Sequence, residues 1–345
     1  MNKGIVGIVG IVGIIVIVVG IFILTNYSIS DNQTEMNDSE NTIRISTNLF
    51  PGLDHAFIAV ENGYFEKYGV DVELILKPSY AENIECFNNG EVDGTLESLA
   101  DAVLQKSFGD DVTVVYVADQ STNGDVIVSS VNDASELKGK TVGIVGLNSF
   151  SHVFVSAIME KHGLDYFDVY YENVDETNIL TYLDSGKIHA GHTWEPTKTL
   201  VEQNGYNVIG TAGDVPGIIT DVLAFNSDFV IQHPDEIQSI VFALNDARDF
   251  VYSNPEEAIT IMAKIEGLSF KDMSDAMNDA DRPNSDKQKI LFNSNSDNSL
   301  VDLTKQFLNF YKNTGIITDN PLFVNDDIII DELFVDDFVN TLRNS

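Results

Sequence analysis

Asn148, Ser149 and Ser151 form a short cluster of the side chains that favour helix N-termini. They follow the apolar, β-branched residues 141–145 and open a segment, 149–162, whose apolar residues fall on one helical face. The pattern predicts a buried strand, a tight turn and a helix start. A helix that starts at the end of a parallel strand presents free N–H groups to a ligand. A strand–helix corner without a ligand explains the same pattern equally well.

The histidines and the cysteine of the chain are not spaced like the residues of a metal or catalytic site. His189 and His192 lie three positions apart in a predicted strand and face opposite sides, and His152 and His162 lie ten apart on a predicted helix, so neither pair could share a metal ion. The single cysteine, Cys86, excludes an internal disulfide and a cysteine-rich zinc site, and we expect it in the core. The chain contains no G-x-S-x-G, G-x-x-x-x-G-K-[ST] or G-x-G-x-x-G motif. We therefore predict no catalytic residue, no metal and no cofactor.

The charge of the chain excludes some partners. Its 345 residues include 54 acidic and 19 basic side chains, which gives a formal net charge of −35. A surface this acidic repels phosphate backbones and anionic lipid headgroups, so we predict no nucleic-acid partner.

The spacing of apolar residues predicts two similar α/β units. The first, from residue 43 to about 129, alternates strands and helices in the order β-α-β-α-β-α-β, which is typical of a parallel sheet. The pattern repeats from about 135 to 209, where 178–192 parallels 82–95. After residue 226 the chain has mostly helical spacing, with a polar loop predicted over 284–298. Ligands often bind between two such units.

The N-terminus has the composition of a membrane segment. Residues 4–24 form an unbroken run of 21 Gly, Ile, Val, Phe and Leu residues, long enough to cross a bilayer core as a helix. Lys3 precedes the run and acidic residues follow it, which predicts a cytoplasmic N-terminus and an extracytoplasmic globular part. We therefore expect a single-pass signal-anchor over 1–25 and a flexible linker over 26–42. A cleaved signal peptide, which would give a secreted protein, is the alternative.

Four segments resemble a known family, the solute-binding proteins of ABC importers for nitrate, sulfonates, taurine and thiamine-precursor pyrimidines. In chain order they are AVENGYFEKYGVDVE (59–73), FNNGEVD (87–93), LKGKTVG (137–143) and GHTWEP (191–196). Their order and spacing are similar over about residues 43–230, whereas the C-terminal third matches only in being helical.

The resemblance implies an α/β, two-lobe clamp of the periplasmic-binding-protein type (type II). Lobe one would comprise residues 43–133 and 225–345, and lobe two residues 134–224. Hinges would lie near 129–134 and 220–226, and closure would trap the ligand and dock the protein on a membrane permease.

By the same resemblance the ligand would lie in the turns at strand ends. The side chains expected there are Asp54, His55, Glu97, Ser98, Asn123, Asn148, Ser149, His152, Trp194, Glu195 and Asp221. These turns contain no Arg or Lys, whereas anion sites usually contain one or both. Carboxylates beside Trp194 suit a neutral or cationic molecule that carries an amine, such as an aminopyrimidine.

Two other functions stay open at this point. One is an extracytoplasmic sensor domain that signals through a partner. The other is an enzyme, because a related eukaryotic thiamine-pyrimidine synthase shares the fold; its cysteine-rich motif is missing here. The reading that we favour is a membrane-tethered protein that captures a small molecule and delivers it to an ABC permease.

Overall fold

A computed structural model describes residues 42–318 and 323–343. Among them no helix is both long and apolar enough to cross a membrane. The predicted signal-anchor over 1–25, and the linker apart from Thr42, lie outside the described residues.

Eleven strands of the described chain form two sheets. They are β1 (Ile43–Thr47), β2 (Val72–Leu76), β3 (Gly94–Ser98), β4 (Val112–Ser121), β5 (Val126–Ser129), β6 (Thr141–Ile144), β7 (Tyr170–Asn173), β8 (Ala190–Thr193), β9 (Asn207–Thr211), β10 (Thr220–Asn226) and β11 (Ala280–Asp281). The first sheet has the order β11-β4-β10-β3-β1-β2, and the second has the order β7-β6-β8-β5-β9. The two predicted α/β lobes are thus present, one built on each sheet.

Both sheets are mixed, although the sequence pattern predicted a parallel one for the first. In the first sheet β1 runs parallel to β2 and β3, but β10 lies between β3 and β4 and is antiparallel to both. In the second sheet β6 runs parallel to β7 and β8, and β5 is antiparallel to β8 and β9. β10 in the first sheet and β5 in the second each enter from the other lobe, whereas β11, also antiparallel to its neighbour β4, belongs to the first lobe throughout.

Fifteen helices are described. They are α1 (Asp54–Glu61), α2 (Tyr64–Lys67), α3 (Tyr80–Asn88), α4 (Leu99–Phe108), α5 (Phe150–Lys161), α6 (Ile179–Asp184), α7 (Thr197–Gln203), α8 (Ser227–Gln232), α9 (Pro234–Ser253), α10 (Pro255–Glu266), α11 (Phe270–Met277), α12 (Ser285–Phe292), α13 (Leu300–Asn313), α14 (Asp326–Glu332) and α15 (Asp337–Asn340). Short 3-10 turns connect several of them. Ser79, Ser149 and Ser299 cap α3, α5 and α13 as their residue types predict.

The strands change sheet earlier than the predicted lobe boundaries. β5 pairs only within the second sheet and β10 only within the first, so the chain crosses between lobes at residues 122–125 and 212–219. The prediction placed the crossovers near 129–134 and 220–226. β5 is a run of four buried residues, and its sequence alone does not show which sheet it joins.

Candidate functional site

A narrow cavity of about 20 Å³ lies between the two lobes. Its lining residues come from both sheets: Asn48, Phe50, Leu53, Tyr80, Leu96, Glu97, Asp125, Phe150, Trp194, Ile219 and Asp221. Most of them stand at a strand end or at the first residue of a helix, where the fold brings backbone and polar groups to one edge. The cavity is therefore where a ligand held by both lobes would bind.

Four aromatic rings surround this cavity. The ring centroids of Tyr80 and Phe150 are 4.7 Å apart, and those of Phe150 and Trp194 are 5.9 Å apart. Trp194 also lies 6.4 Å from both Phe50 and Tyr80, in edge-to-face orientation. Its indole Nε1 donates a hydrogen bond to the Leu49 carbonyl at 3.2 Å, which fixes the ring across the cleft. Because Phe50 and Tyr80 belong to the first lobe and Phe150 and Trp194 to the second, the group assembles only when the lobes are close together.

Carboxyl groups supply the charge of the cavity. Glu97 is 1% exposed; its Oε2 accepts a hydrogen bond from Gln105 Nε2 at 2.7 Å, and its Oε1 has no partner among the described residues. Asp125 is 2% exposed; its Oδ1 lies 2.9 Å from His192 Nε2, and its Oδ2 has no such partner. An ionised carboxylate only accepts hydrogen bonds, so these two free oxygens could bind a hydrogen-bond donor or a cation of a ligand.

Asp221 faces another carboxyl, Asp119, across the sheet. The two residues are opposite each other in the antiparallel pairing of β10 with β4, and both are buried. Neither Asp119 oxygen receives a hydrogen bond from a described donor. Two buried carboxyls side by side oppose each other's ionisation. Gly52 packs against this pair: a Cβ at that position would lie 2.3 Å from Asp119 Oδ2, which leaves room only for glycine.

Burial controls the protonation of these groups. Desolvation, reinforced by the charge of Asp101, raises the pKa of Glu97 well above its usual range. Desolvation and the neighbouring carboxyls raise the pKa of Asp119 and of Asp221 in the same way. Desolvation also raises the pKa of Asp101 to about 7, against the hydrogen bonds that it accepts from Tyr80 and Phe150. Glu97 and Asp221, which line the cleft, therefore favour the neutral form until a positive charge arrives.

Besides the Trp194–Leu49 hydrogen bond, three polar contacts join the lobes around the cavity. The Phe150 N–H, at the start of α5, donates to Asp101 Oδ1 at 3.2 Å, and the Tyr80 N–H, at the start of α3, donates to Glu176 Oε1 at 3.2 Å. At the rim, Lys198 Nζ lies 2.9 Å from Asp279 Oδ2. The structure therefore represents a closed clamp in which each lobe caps a helix of the other.

A buried hydrogen-bond chain runs from the cavity into the second lobe. His192 Nε2 bonds to Asp125, and its Nδ1 lies 2.7 Å from Ser151 Oγ, which accepts the Val145 N–H at 2.9 Å. Ser151 and His192 are fully buried and do not line the cavity, so this chain positions Asp125.

Of the residues predicted to bind a ligand, Glu97, Trp194 and Asp221 line the cavity. Asp54 and His55 lie behind it at the start of α1. The Asp54 Oδ1 accepts a hydrogen bond from the buried Arg282 Nε at 2.7 Å, so this carboxylate stabilises the first lobe.

The remaining predicted residues of the first lobe and crossover do not line the cavity. Ser98 precedes α4, and its Oγ has no partner among the described residues. Asn123 is exposed in the crossover, where its carbonyl accepts a hydrogen bond from Lys198 Nζ.

The predicted residues of the second lobe also serve other contacts. Asn148 adopts a φ of 74° in the turn, and its N–H donates to His152 Nδ1. Ser149 caps α5 locally and lines a separate groove beside α3. His152 packs on Tyr171, and burial lowers its pKa to about 4, so it is neutral.

Glu195 lies beside the cavity residue Trp194 without lining the cavity itself. Its carboxylate accepts hydrogen bonds from the N–H and Oγ1 of Thr199 and thereby caps α7.

Sequence reasoning missed Asn48, Tyr80, Asp125 and Phe150 as cavity residues. Tyr80 and Phe150 are the first residues of helices that follow Ser caps, and this position was the available signal. Asp125 lies one residue before β5, so recognising it required knowing where the chain changes sheet. No group of three or more metal-ligating side chains occurs among the described residues.

Comparison with known proteins decides the family. Residues 53–258 match the sequence model of a family described as NMT1/THI5 like. The chain belongs to the NMT1/THI5-like family. The predicted resemblance is thereby confirmed.

Relatives of this NMT1/THI5-like protein include both enzymes and binding proteins. It is 24% identical over 220 residues to 4-amino-5-hydroxymethyl-2-methylpyrimidine phosphate synthase THI13 of Saccharomyces cerevisiae, covering 59% of this chain and 64% of that protein. The chain thus spans less than two thirds of the yeast protein's length.

Solved structures similar to the NMT1/THI5-like chain confirm its two-lobe periplasmic-binding-protein fold. The periplasmic nitrate-binding protein NrtA from Synechocystis PCC 6803 superposes with a TM-score of 0.70 at 16% identity, over 87% of each chain. The periplasmic aliphatic sulphonate binding protein SsuA from Escherichia coli gives a TM-score of 0.65 at 17% identity, over 80% of this chain and 88% of SsuA. At these identities the likeness concerns the fold alone.

Proposed function

We propose that this protein is a membrane-tethered, extracytoplasmic solute-binding protein that captures a small molecule between its lobes and delivers it to an ABC permease. The cavity carries the proposal: it is lined from both lobes, it is closed by contacts between them, and it contains buried polar atoms without partners. A solute receptor needs these features because its lobes should close only when a ligand lies between them and contacts both. The apolar run 4–24 supports the tether.

A thermal-shift screen of the full-length protein in detergent tests this function. The probes are choline, 4-amino-5-hydroxymethyl-2-methylpyrimidine, taurine and nitrate, each at millimolar concentration. We expect at least one to raise the melting temperature in a saturable way, because a ligand that binds only the folded state stabilises it. Uptake of that solute by intact cells should fall when the gene is deleted. A screen without any stabilising solute would contradict the proposal.

The relation to the yeast synthases favours a pyrimidine-forming enzyme as a second candidate. If such an enzyme takes up pyridoxal phosphate, a lysine would hold its aldehyde as a Schiff base. None of the described residues that line the cavity is a lysine, so the cleft does not offer that attachment. Incubation with pyridoxal phosphate tests this candidate, because a Schiff base would give a new visible absorption band that borohydride removes.

A further inference from the structure

We propose that the cleft selects small organic cations, and that an ammonium group entering it displaces the protons that neutralise its buried carboxyls. This inference rests on the proposed function and specifies the chemical class of its ligand.

The aromatic residues provide the first argument. Phe50, Tyr80, Phe150 and Trp194 surround one small volume, with neighbouring centroids 4.7–6.4 Å apart. Ring faces carry partial negative charge and attract ammonium groups within about 6 Å of their centroids. The apolar rings also bury the methylene or methyl groups that surround an organic ammonium.

The carboxyl oxygens provide the second argument. Glu97 Oε1 and Asp125 Oδ2 are buried in cavity-lining residues and have no partner among the described residues. The nearby cations are already engaged: Arg282 donates to Asp54 and to the backbone carbonyls of Met277, Ala280 and Pro51. Glu97 Oε1 and Asp125 Oδ2 therefore have no cationic partner within the described protein.

The helix starts provide the third argument, because they are closed to anions. A helix N-terminus is the usual backbone site for an anion. Here the first N–H of α3 is bonded to Glu176 and the first N–H of α5 to Asp101, each from the opposite lobe. An anion would have to displace a carboxylate from each helix in an already acidic cleft.

The proton exchange follows from the Asp119–Asp221 pair. The two carboxyls interact electrostatically with each other and with the charged groups around them. These groups are Asp54 on α1, Asp101 on α4, Asp125 before β5 and the Arg282 guanidinium after β11. Glu97 on β3 interacts in the same way with Asp221. With one positive group among these six carboxyls, burial and mutual repulsion favour the protonated form of Glu97, Asp119 and Asp221 in the empty cleft. A bound cation replaces a proton, which leaves for solvent, so the net charge of the cleft is conserved.

Isothermal titration of the full-length protein in detergent tests the proposal with isosteric pairs. The probes are choline against 3,3-dimethylbutan-1-ol, and benzylamine against benzyl alcohol. We expect at least one ammonium to bind ten-fold or more tightly than its uncharged partner at pH 6.5. Its apparent enthalpy should differ between phosphate and cacodylate buffers, because the released proton is taken up by the buffer.

Variants locate the effect in the cleft. Glu97→Gln and Asp125→Asn should each lower the preference for the ammonium at least three-fold, whereas Glu172→Gln, which removes an exposed charge from β7, should leave it unchanged. Circular dichroism confirms folding, and either cleft variant suffices if the other unfolds.

Several outcomes would overturn the proposal. The proposal is wrong if neither ammonium binds better than its neutral partner. It is also wrong if the enthalpies are equal in the two buffers, or if Glu172→Gln lowers the preference as much as the cleft variants do. Tight binding of taurine, nitrate or the uncharged pyrimidine without ammonium binding would overturn the cation class but leave the solute-binding function standing. Failure of every probe would count against both.

Discussion

At the residue scale, Asp101 and Glu176 determine what the closed cleft can accept. Each carboxyl crosses from one lobe to the first N–H of a helix in the other. Burial raises the pKa of each carboxyl to about 7, so they are increasingly ionised, and increasingly oppose an anion, as the pH rises above neutrality. Closure and selectivity thus depend on the same two side chains.

Glu176→Gln should change how stability depends on pH. Burial raises the pKa of Glu176 from 4.5 to about 7, so the folded protein retains a proton that the unfolded chain releases. The protonated form contributes stability below pH 4.5, and that contribution is lost as the pH rises to about 7. Glutamine resembles the protonated form at every pH. The variant should therefore match the wild type near pH 4.5 and exceed its unfolding free energy by about 3 kcal/mol at pH 8.

Urea unfolding between pH 4.5 and pH 8 measures this difference. Glu172→Gln is the control, because it removes an equal charge from an exposed position. A Gln variant whose stability parallels the wild type across this range would show that Glu176 does not hold a proton in the folded state.

The cavity residues that could be predicted from the sequence are those that lie within a family-like segment or at the end of a predicted strand. Trp194 lies within a segment that resembles the solute-binding family, and Glu97 and Asp221 lie at expected strand ends; all three line the cavity. Asp125 and Glu176 could not be predicted in this way. Their surroundings come from the other sheet or the other lobe, and only tertiary packing makes them buried.

At the element scale, α12 shows why a polar sequence can still form a buried helix. Residues 284–298 were predicted to be a surface loop, but Asn284 caps a helix over Ser285–Phe292. Gln288 on that helix is fully buried. Its Oε1 accepts the Val117 N–H at 3.1 Å, and its Nε2 donates to the Val117 carbonyl at 2.6 Å. The side-chain amide thus forms hydrogen bonds with both backbone groups of a strand residue. The spacing of apolar residues does not predict this role.

Gln288→Ala should destabilise the first lobe. Both backbone groups of Val117 lose their partner, and an unsatisfied buried polar group costs about 1–3 kcal/mol. We expect a loss of about 3 kcal/mol in the unfolding free energy, measured by urea denaturation. The control is Gln238→Ala on α9, which removes a half-buried amide that donates to the Phe338 carbonyl and accepts from the exposed Thr341 hydroxyl. Equal losses in both variants would contradict the role of Gln288.

At the scale of the whole molecule, contacts at the rim of the cleft stabilise the closed arrangement of the two lobes, in addition to the contacts within the cavity. Lys198 on α7 of the second lobe pairs with Asp279 of the first lobe, and its Nζ also donates to the Asn123 carbonyl at 2.9 Å. The two-lobe organisation was predictable from the repeated strand–helix pattern. The crossovers were not, because four-residue strands such as β5 can pair with either sheet.

Lys198→Met should shift the molecule toward an open form. Loss of a partly buried ion pair costs about 1 kcal/mol, which corresponds to a roughly five-fold change in the closed–open equilibrium. The radius of gyration in solution scattering should rise, and any solute that stabilises the protein should bind a few-fold more weakly. Lys271→Met, which removes an exposed pair with Asp275 on one helix, should change neither. An unchanged radius and affinity in Lys198→Met would show that the rim does not control closure.

The fluorescence of Trp194 tests the central claim most directly. It is the only tryptophan of the chain and it lines the cavity, so the wild-type protein carries its own reporter. Titration with choline, benzylamine, 4-amino-5-hydroxymethyl-2-methylpyrimidine, taurine and nitrate should give a saturable change in intensity or emission maximum for at least one solute. The account predicts that an ammonium compound gives this change. A spectrum that none of the five solutes alters, up to millimolar concentration, would contradict ligand capture between the lobes.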